Sequence, residues 1–283
     1  MRRVITAVVL TMVTAVTAAG CDDGPRPDLV VEGSPPATPY GGPLDAPTRE
    51  VDESGPRALR LASGSAGRAL ECDGEIFDGL GPDEWSKADG GTTPEEGLAL
   101  YFDMVQPELP DHGYRVERGE PDRVLYSYDV GGRTKVAVVV ARDQRGRPGW
   151  GPETSASCDP AELPESFTAG TGWEIWTDRA GRRVPVGRLH SSPGAEHCDW
   201  QSAHLLTLDD RTYARDPYGV LAGYGLLRAP YRAQVRMPAD ARDTGYHRGG
   251  RHLWLTDGEQ TAYVRTPGGV EAWPRVTDDF GCD

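Results

Sequence analysis

Between Arg123 and Val130 the chain alternates. Val124, Tyr126, Tyr128 and Val130 are large and apolar, and Leu125, Ser127 and Asp129 fall between them. A period of two places the first set on one face of a half-buried β-strand. Gly131-Gly132 then supplies a two-residue hairpin turn, where positive φ is needed and glycine gives it freely, so a partner strand is expected over residues 134–142. Further strands are predicted at 70–77 (carrying Cys72), 114–118 and 154–158. One segment has the helical period instead. Thr93-Pro94-Glu95-Glu96 is a capping box with proline at the first helical position, and Leu98, Tyr101, Phe102 and Val105 recur behind it as one apolar stripe. Gly97 weakens this helix and Pro107 ends it. The expectation for residues 58–165 is an α+β domain, with one helix on an antiparallel sheet.

From 166 to 283 the pattern is of short strands only, at 173–177, 183–189, 203–208, 212–215, 251–256, 261–265 and 269–273, separated by turns bearing Asp, Gly and Pro. Such spacing predicts an all-β domain, either a meander or a small barrel. In its last three strands, simple alternation sorts Leu253, Leu255, Ala262, Val264, Val270 and Ala272 onto one face. His252, Trp254, Tyr263, Arg265, Glu271 and Trp273 fall on the other. That second face either packs against another layer, the commoner fate of large rings, or forms a ligand platform for a glycan or a protein.

The first 57 residues read differently. Arg2 and Arg3 precede an uncharged apolar stretch from Val4 to Ala19, which is shorter than the roughly 20 residues that span a bilayer. Residues 1–20 are therefore expected to be a cleaved signal peptide. Ala18-Ala19-Gly20-Cys21 resembles the bacterial lipobox, which implies lipid attachment (diacylglycerol and palmitate) at Cys21, although Ala18 stands where leucine is usual. Residues 22–57 hold eight prolines and five glycines and few apolar side chains, the composition of a disordered, extended spacer.

Cysteine parity supports the anchor. Of Cys21, Cys72, Cys158, Cys198 and Cys282, setting the first aside leaves four, in a compartment where thiols oxidise. Four cysteines allow three pairings; Cys72–Cys158 with Cys198–Cys282 keeps each bridge inside one domain.

Several phrases resemble those of uncharacterised actinobacterial-type secreted lipoproteins. They are Arg123-Val124-Leu125-Tyr126-Ser127-Tyr128-Asp129, Cys158-Asp159-Pro160-Ala161-Glu162-Leu163, His197-Cys198-Asp199-Trp200-Gln201 and Glu271-Ala272-Trp273-Pro274-Arg275. The resemblance implies a shared two-part fold and shared cysteines. It brings no catalytic residue with it.

Charge narrows the partners. The net charge is −14, and Lys87 and Lys135 are the only lysines, so arginine carries nearly all the positive charge. A chain so acidic is a poor nucleic-acid binder. No nucleophile elbow, phosphate loop, zinc-protease helix or calcium loop is present in the sequence. His190, His197 and His204 recur at seven, an odd offset that places consecutive members on opposite faces of a strand, so surface imidazoles are expected rather than a metal site. Asp209-Asp210 reads as a turn and Asp278-Asp279 as a solvated tail. Neither a cofactor, a metal nor a catalytic residue is expected. The function expected is a non-catalytic binding or envelope-associated module, lipid-anchored at the extracellular face of the cell membrane. An extracellular hydrolase without a recognisable motif is the alternative. A solute-capturing transporter subunit fits less well, for want of a two-lobed α/β pattern.

Overall fold

A computed structural model describes residue 31 and residues 37–49, 55–81, 86, 88–278 and 280–281. The expected signal peptide, Cys21, Asp279 and Cys282 lie outside them. The fold is mostly β, built of antiparallel sheets with few and short helices.

The chain enters through α1 (Pro56–Ala62) and α2 (Gly64–Ala69), then β1 (Ile76–Leu80) and α3 (Pro94–Leu100), which a π turn continues to Val105. Strands β2 (Tyr114–Glu120), β3 (Arg123–Val130), β4 (Arg133–Arg142) and β5 (Trp150–Cys158) follow, ordered β1-β5-β4-β3-β2 in one sheet. Gly131 and Gly132 turn the β3–β4 hairpin at φ 61° and 78°. Alternation along β4 feeds two cores. Val136, Val138 and Val140 meet Leu98, Tyr101 and Phe102 of the α3 side. Ala137 and Val139 meet Ala66 and Ala69 of α2 with Leu44. Both faces of the sheet are therefore covered, not one as the single-helix expectation had it. The helix at 56–69 escaped prediction because Gly64, Ser65, Ala66 and Gly67 carry no apolar stripe. Smallness is what seats that helix close on the sheet.

Three local expectations need correction. The strand predicted at 70–77 starts only at Ile76, and Cys72 lies in the loop before it. The spacer predicted to run to residue 57 is in part packed structure. Leu44 is 1% exposed, Tyr40 N donates to Glu117 Oε1 at 2.8 Å, and Arg118 holds the carbonyls of Tyr40 and Gly42. Gly97, expected only to weaken α3, lies where the helix meets β5, since a Cβ there would sit 3.0 Å from Trp150 Cβ.

After the short α4 (Glu165–Thr168) come β6 (Glu174–Ile175), β7 (Leu189–Pro193), β8 (His204–Leu208) and β9 (Arg211–Arg215), paired in that order. A four-residue α5 (Val220–Gly223) leads to a second sheet of β10 (Arg242–Arg248), β11 (Arg251–Leu255), β12 (Thr261–Thr266) and β13 (Gly269–Pro274). Isolated bridges stitch the sheets at both seams, Tyr213 to Arg275 at one and Thr177 to His247 at the other. Between them lie Trp176, Leu189, Leu206, Tyr213, Leu253, Val264 and Trp273. The strand expected at 183–189 is a turn around Pro185, whose carbonyl accepts from the N–H groups of Arg188 and Leu189.

Cys72 and Cys158 form a disulfide across a separation of 86 residues. Cys198 is also disulfide-bonded. Beside the first bridge the nearly buried Lys135 donates to Glu162 Oε2 at 2.6 Å, Asp73 Oδ2 at 3.0 Å and the carbonyl of Glu71. Closing so long a loop restrains the unfolded chain by up to about 4 kcal/mol. Replacing both cysteines in C72S/C158S is expected to destabilise the protein by about 2–4 kcal/mol. An unchanged midpoint in thermal or denaturant unfolding would show that the bridge adds nothing.

Candidate functional site

The expected platform is split by register. The two-residue turn at Pro267-Gly268 pairs Arg265 with Val270 and Ala262 with Trp273, so even positions of β12 share a face with odd positions of β13. Trp273 and Glu271 therefore point inward with Leu253, Ala262 and Val264, while Val270 and Ala272 take the outer parity. His252, Trp254, Tyr263 and Arg265 remain outside. The Arg265 guanidinium lies 4.7 Å from the Trp254 ring centre, and His252 stacks on His247. Trp273 is 1% exposed, whereas Trp254 and Tyr263 are half-buried.

The three histidines do not converge. His190 bonds the Val186 carbonyl and meets Trp173 edge-on, and burial pushes its pKa down. His197 sits in a short 3-10 turn. His204 faces the interior. Asp209 does occupy a turn, at φ 51°. Asp278 pairs with Arg228. A grouping of Cys72, Cys158 and Glu162 is no metal site, because both sulfurs are in the disulfide.

What the sequence did not single out is a charged network at one end of the space between the sheets. Glu174 Oε2 accepts from Ser191 Oγ at 2.5 Å, His204 Nε2 at 2.8 Å and Arg251 Nη2 at 2.7 Å, with Arg248 Nε at 3.8 Å. Burial by itself would raise the Glu174 carboxyl. The bonds from His204, Ser191 and Arg251 and the charge of His204 outweigh it, and hold the group well below the usual carboxylate range. Trp176 Nε1 donates to Ser191 Oγ at 3.0 Å, and the Arg251 guanidinium lies over the Trp176 ring. A second carboxylate, Glu271, accepts from Arg215 Nε at 2.9 Å and Trp273 Nε1 at 2.8 Å. The rings of His204 and Trp273 link the two groups at 6.2 Å.

Serine, histidine and glutamate thus meet, but not in the order that activates a nucleophile. Ser191 and His204 both bind the same carboxylate oxygen, and Ser191 is fully buried. The group receiving the serine hydrogen is a carboxylate of depressed pKa, a weak proton acceptor. The signal that could have exposed this network is Glu174 two residues before Trp176, a charge at the inward parity of a strand.

Two hollows open beside it. One, of about 590 Å³, lies between the helical linker and the sheets and is lined by Glu165, Thr168, Trp173, Glu174, Arg183 and Arg248 among others. The other, of about 640 Å³, is lined by Asp178, Arg179, Arg182, Arg183, Arg188 and Tyr246 among others. They share Arg183, which is fixed from the other side by the carbonyls of Leu163 and Pro160. Asp159 clamps the same junction, its two oxygens accepting from Val186 N at 3.1 Å each. No known protein family, curated protein or solved structure matches the chain.

Glu174 titrates lower in the folded than in the unfolded protein, so its stabilisation is complete above the unfolded value near 4.5 and is lost as pH falls towards the folded one. E174Q should cost about 3 kcal/mol at pH 7, because Arg251 and Arg248 lose their counter-charge. The gap from wild type should shrink by about 1.4 kcal/mol per pH unit below about pH 4.5. Chemical denaturation of both proteins between pH 7 and pH 3 reads this, and a gap constant over that range would refute it.

Proposed function

We propose that the protein is a lipid-anchored, non-catalytic binding module at the extracellular face of the cell membrane, with its ligand seat at the two hollows that share Arg183. The lipobox-like Ala18-Ala19-Gly20-Cys21 and the cysteine parity support the anchor, and the Pro- and Gly-rich segment after Cys21 supports a stand-off from the bilayer. We read the helix-bearing five-stranded part and the pair of four-stranded sheets as two domains, the second a flattened barrel. Cys282 is the partner we assign to Cys198, and the stacking of Phe280 on Trp200, two residues from Cys198, supports that assignment.

One observation carries the binding reading. Glu174 is satisfied by three hydrogen-bond donors, while guanidinium groups and the Trp173 ring line open space at the junction. Pre-set charge beside an open cavity suits recognition.

The full chain, expressed in a cell that processes lipoproteins, should fractionate with membranes and carry a diacylglyceryl mass at its N-terminus. C21S should release it into the medium. An unmodified N-terminus at Cys21 in wild type would refute the anchor. The mature protein should be retained saturably on isolated cell envelope, and W173A, which removes an aromatic wall of the first hollow, should weaken retention by about tenfold. Enzymatic release of soluble fragments from that envelope would overturn the non-catalytic reading.

A further inference from the structure

Positive charge is scarce and unevenly placed in this protein. Against a net charge of −14, the hollow of about 640 Å³ brings four arginines together with one aspartate in its lining. Some arginines elsewhere are matched closely, as where Arg123 meets Glu153 and Asp122, or Arg115 meets Glu117 and Asp129. In the hollow the matching is loose for all but Arg182. Arg182 is held by Asp178 at 2.7 Å. Arg179 spends one bond on the Asp243 carbonyl, with that residue's carboxylate at 3.9 Å. Arg188 stands 4.0 Å from Asp209, beyond hydrogen-bond reach. Arg183 donates to the backbone carbonyls of Leu163 and Pro160, and the Glu165 and Asp159 carboxylates act on it through space rather than through a hydrogen-bonded ion pair.

Each guanidinium has five N–H donors, so most of theirs remain open to a ligand. Arg179, Arg182 and Arg188 are largely exposed, and two of them make a further contact. The Arg179 stem lies across Gly245, where an added Cβ would come within 2.6 Å of its Nε. The Arg188 guanidinium lies 5.9 Å from the centre of the Tyr246 ring.

We propose that this hollow binds a small ligand, or the end of a polymer, that carries two or more phosphoryl groups. The planar arginine fork matches phosphoryl oxygens in pairs, and several forks around one cavity select multiple charge over a single carboxylate. The volume falls within the range of small-ligand sites. The acidic remainder of the surface does not defeat this. At physiological salt, charges more than about 8 Å away are largely screened, so the local arginines set the field in the cavity. The inference rests on the binding reading above and names the ligand class of that seat.

Titration calorimetry on the mature protein tests it, with inorganic tripolyphosphate as the free small probe and a glycerol-phosphate hexamer as the polymer probe. Both should bind at low salt and weaken steeply as salt rises. Comparable affinity for the two would identify a free phosphorylated compound as the source, and a strong preference for the hexamer a phosphodiester polymer. R179S/R188S should bind about tenfold weaker or worse. R142S, a control on the five-stranded sheet, should bind as wild type does. Absence of binding by either probe at low salt, or equal binding by R179S/R188S and wild type, would overturn the assignment. Retention on cell envelope that survives such a result would leave the binding reading intact and the phosphoryl ligand wrong.

Discussion

One carboxylate organises the second half of the molecule. Glu174 on β6 is met by Ser191 from β7, His204 from β8, Arg251 from β11 and Arg248 from β10, so five strands of two sheets converge on it. A partly buried charge tolerates this position only if its desolvation is offset by good geometry on every side. That demand acts on strand register. Shift β7 or β11 by one residue and Ser191 or Arg251 turns outward, leaving the charge short of donors. The network thus specifies how the sheets meet, in a region where the hydrogen-bonded seam is thin. A single bridge, Thr177 to His247, joins the sheets on that side.

The same carboxylate shapes the candidate site. Glu174 lines the junction hollow and faces Arg248, which also lines it. Anchoring from the first half comes through Asp159 and through the carbonyls that fix Arg183. The hollows exist because the turn carrying Arg179, Arg182 and Arg183 is held at both ends, by the sheets on one side and by the Asp159–Leu163 segment on the other. The candidate site and closure of the sheets therefore share residues, and a substitution at Glu174 would disturb both.

What was legible in the sequence was local. The β3–β4 hairpin was visible because glycine at positive φ and a period of two are properties of adjacent residues. The start of α3 was visible because Thr93 accepts from Glu96 N, three residues on. What was hidden depends on distant partners. The facing of β13 is set by the two-residue turn before it, which pairs opposite parities, so alternation taken strand by strand put Trp273 and Glu271 on the wrong side. The 37–49 segment looked like spacer because its composition is polar and proline-rich, yet Leu44, with Tyr40 and Ala46 beside it, fills the space left by the small residues of α2. Strand β10, with the sequence Arg-Asp-Thr-Gly-Tyr-His-Arg, has no apolar alternation to announce it; its place comes from pairing with β11.

Charge shows the same division between composition and arrangement. Net charge describes the surface at distances where salt has already screened most of it. It is silent about one local hollow of about 640 Å³, where four arginines are gathered by a turn and two loosely matched aspartates. With almost no lysine in the chain, those cations come as planar forks, of which Arg188 lies over the Tyr246 ring and Arg179 runs along Gly245. A lysine in the same place would carry the charge and lose the geometry. The arrangement, more than the total, determines what an acidic protein can hold.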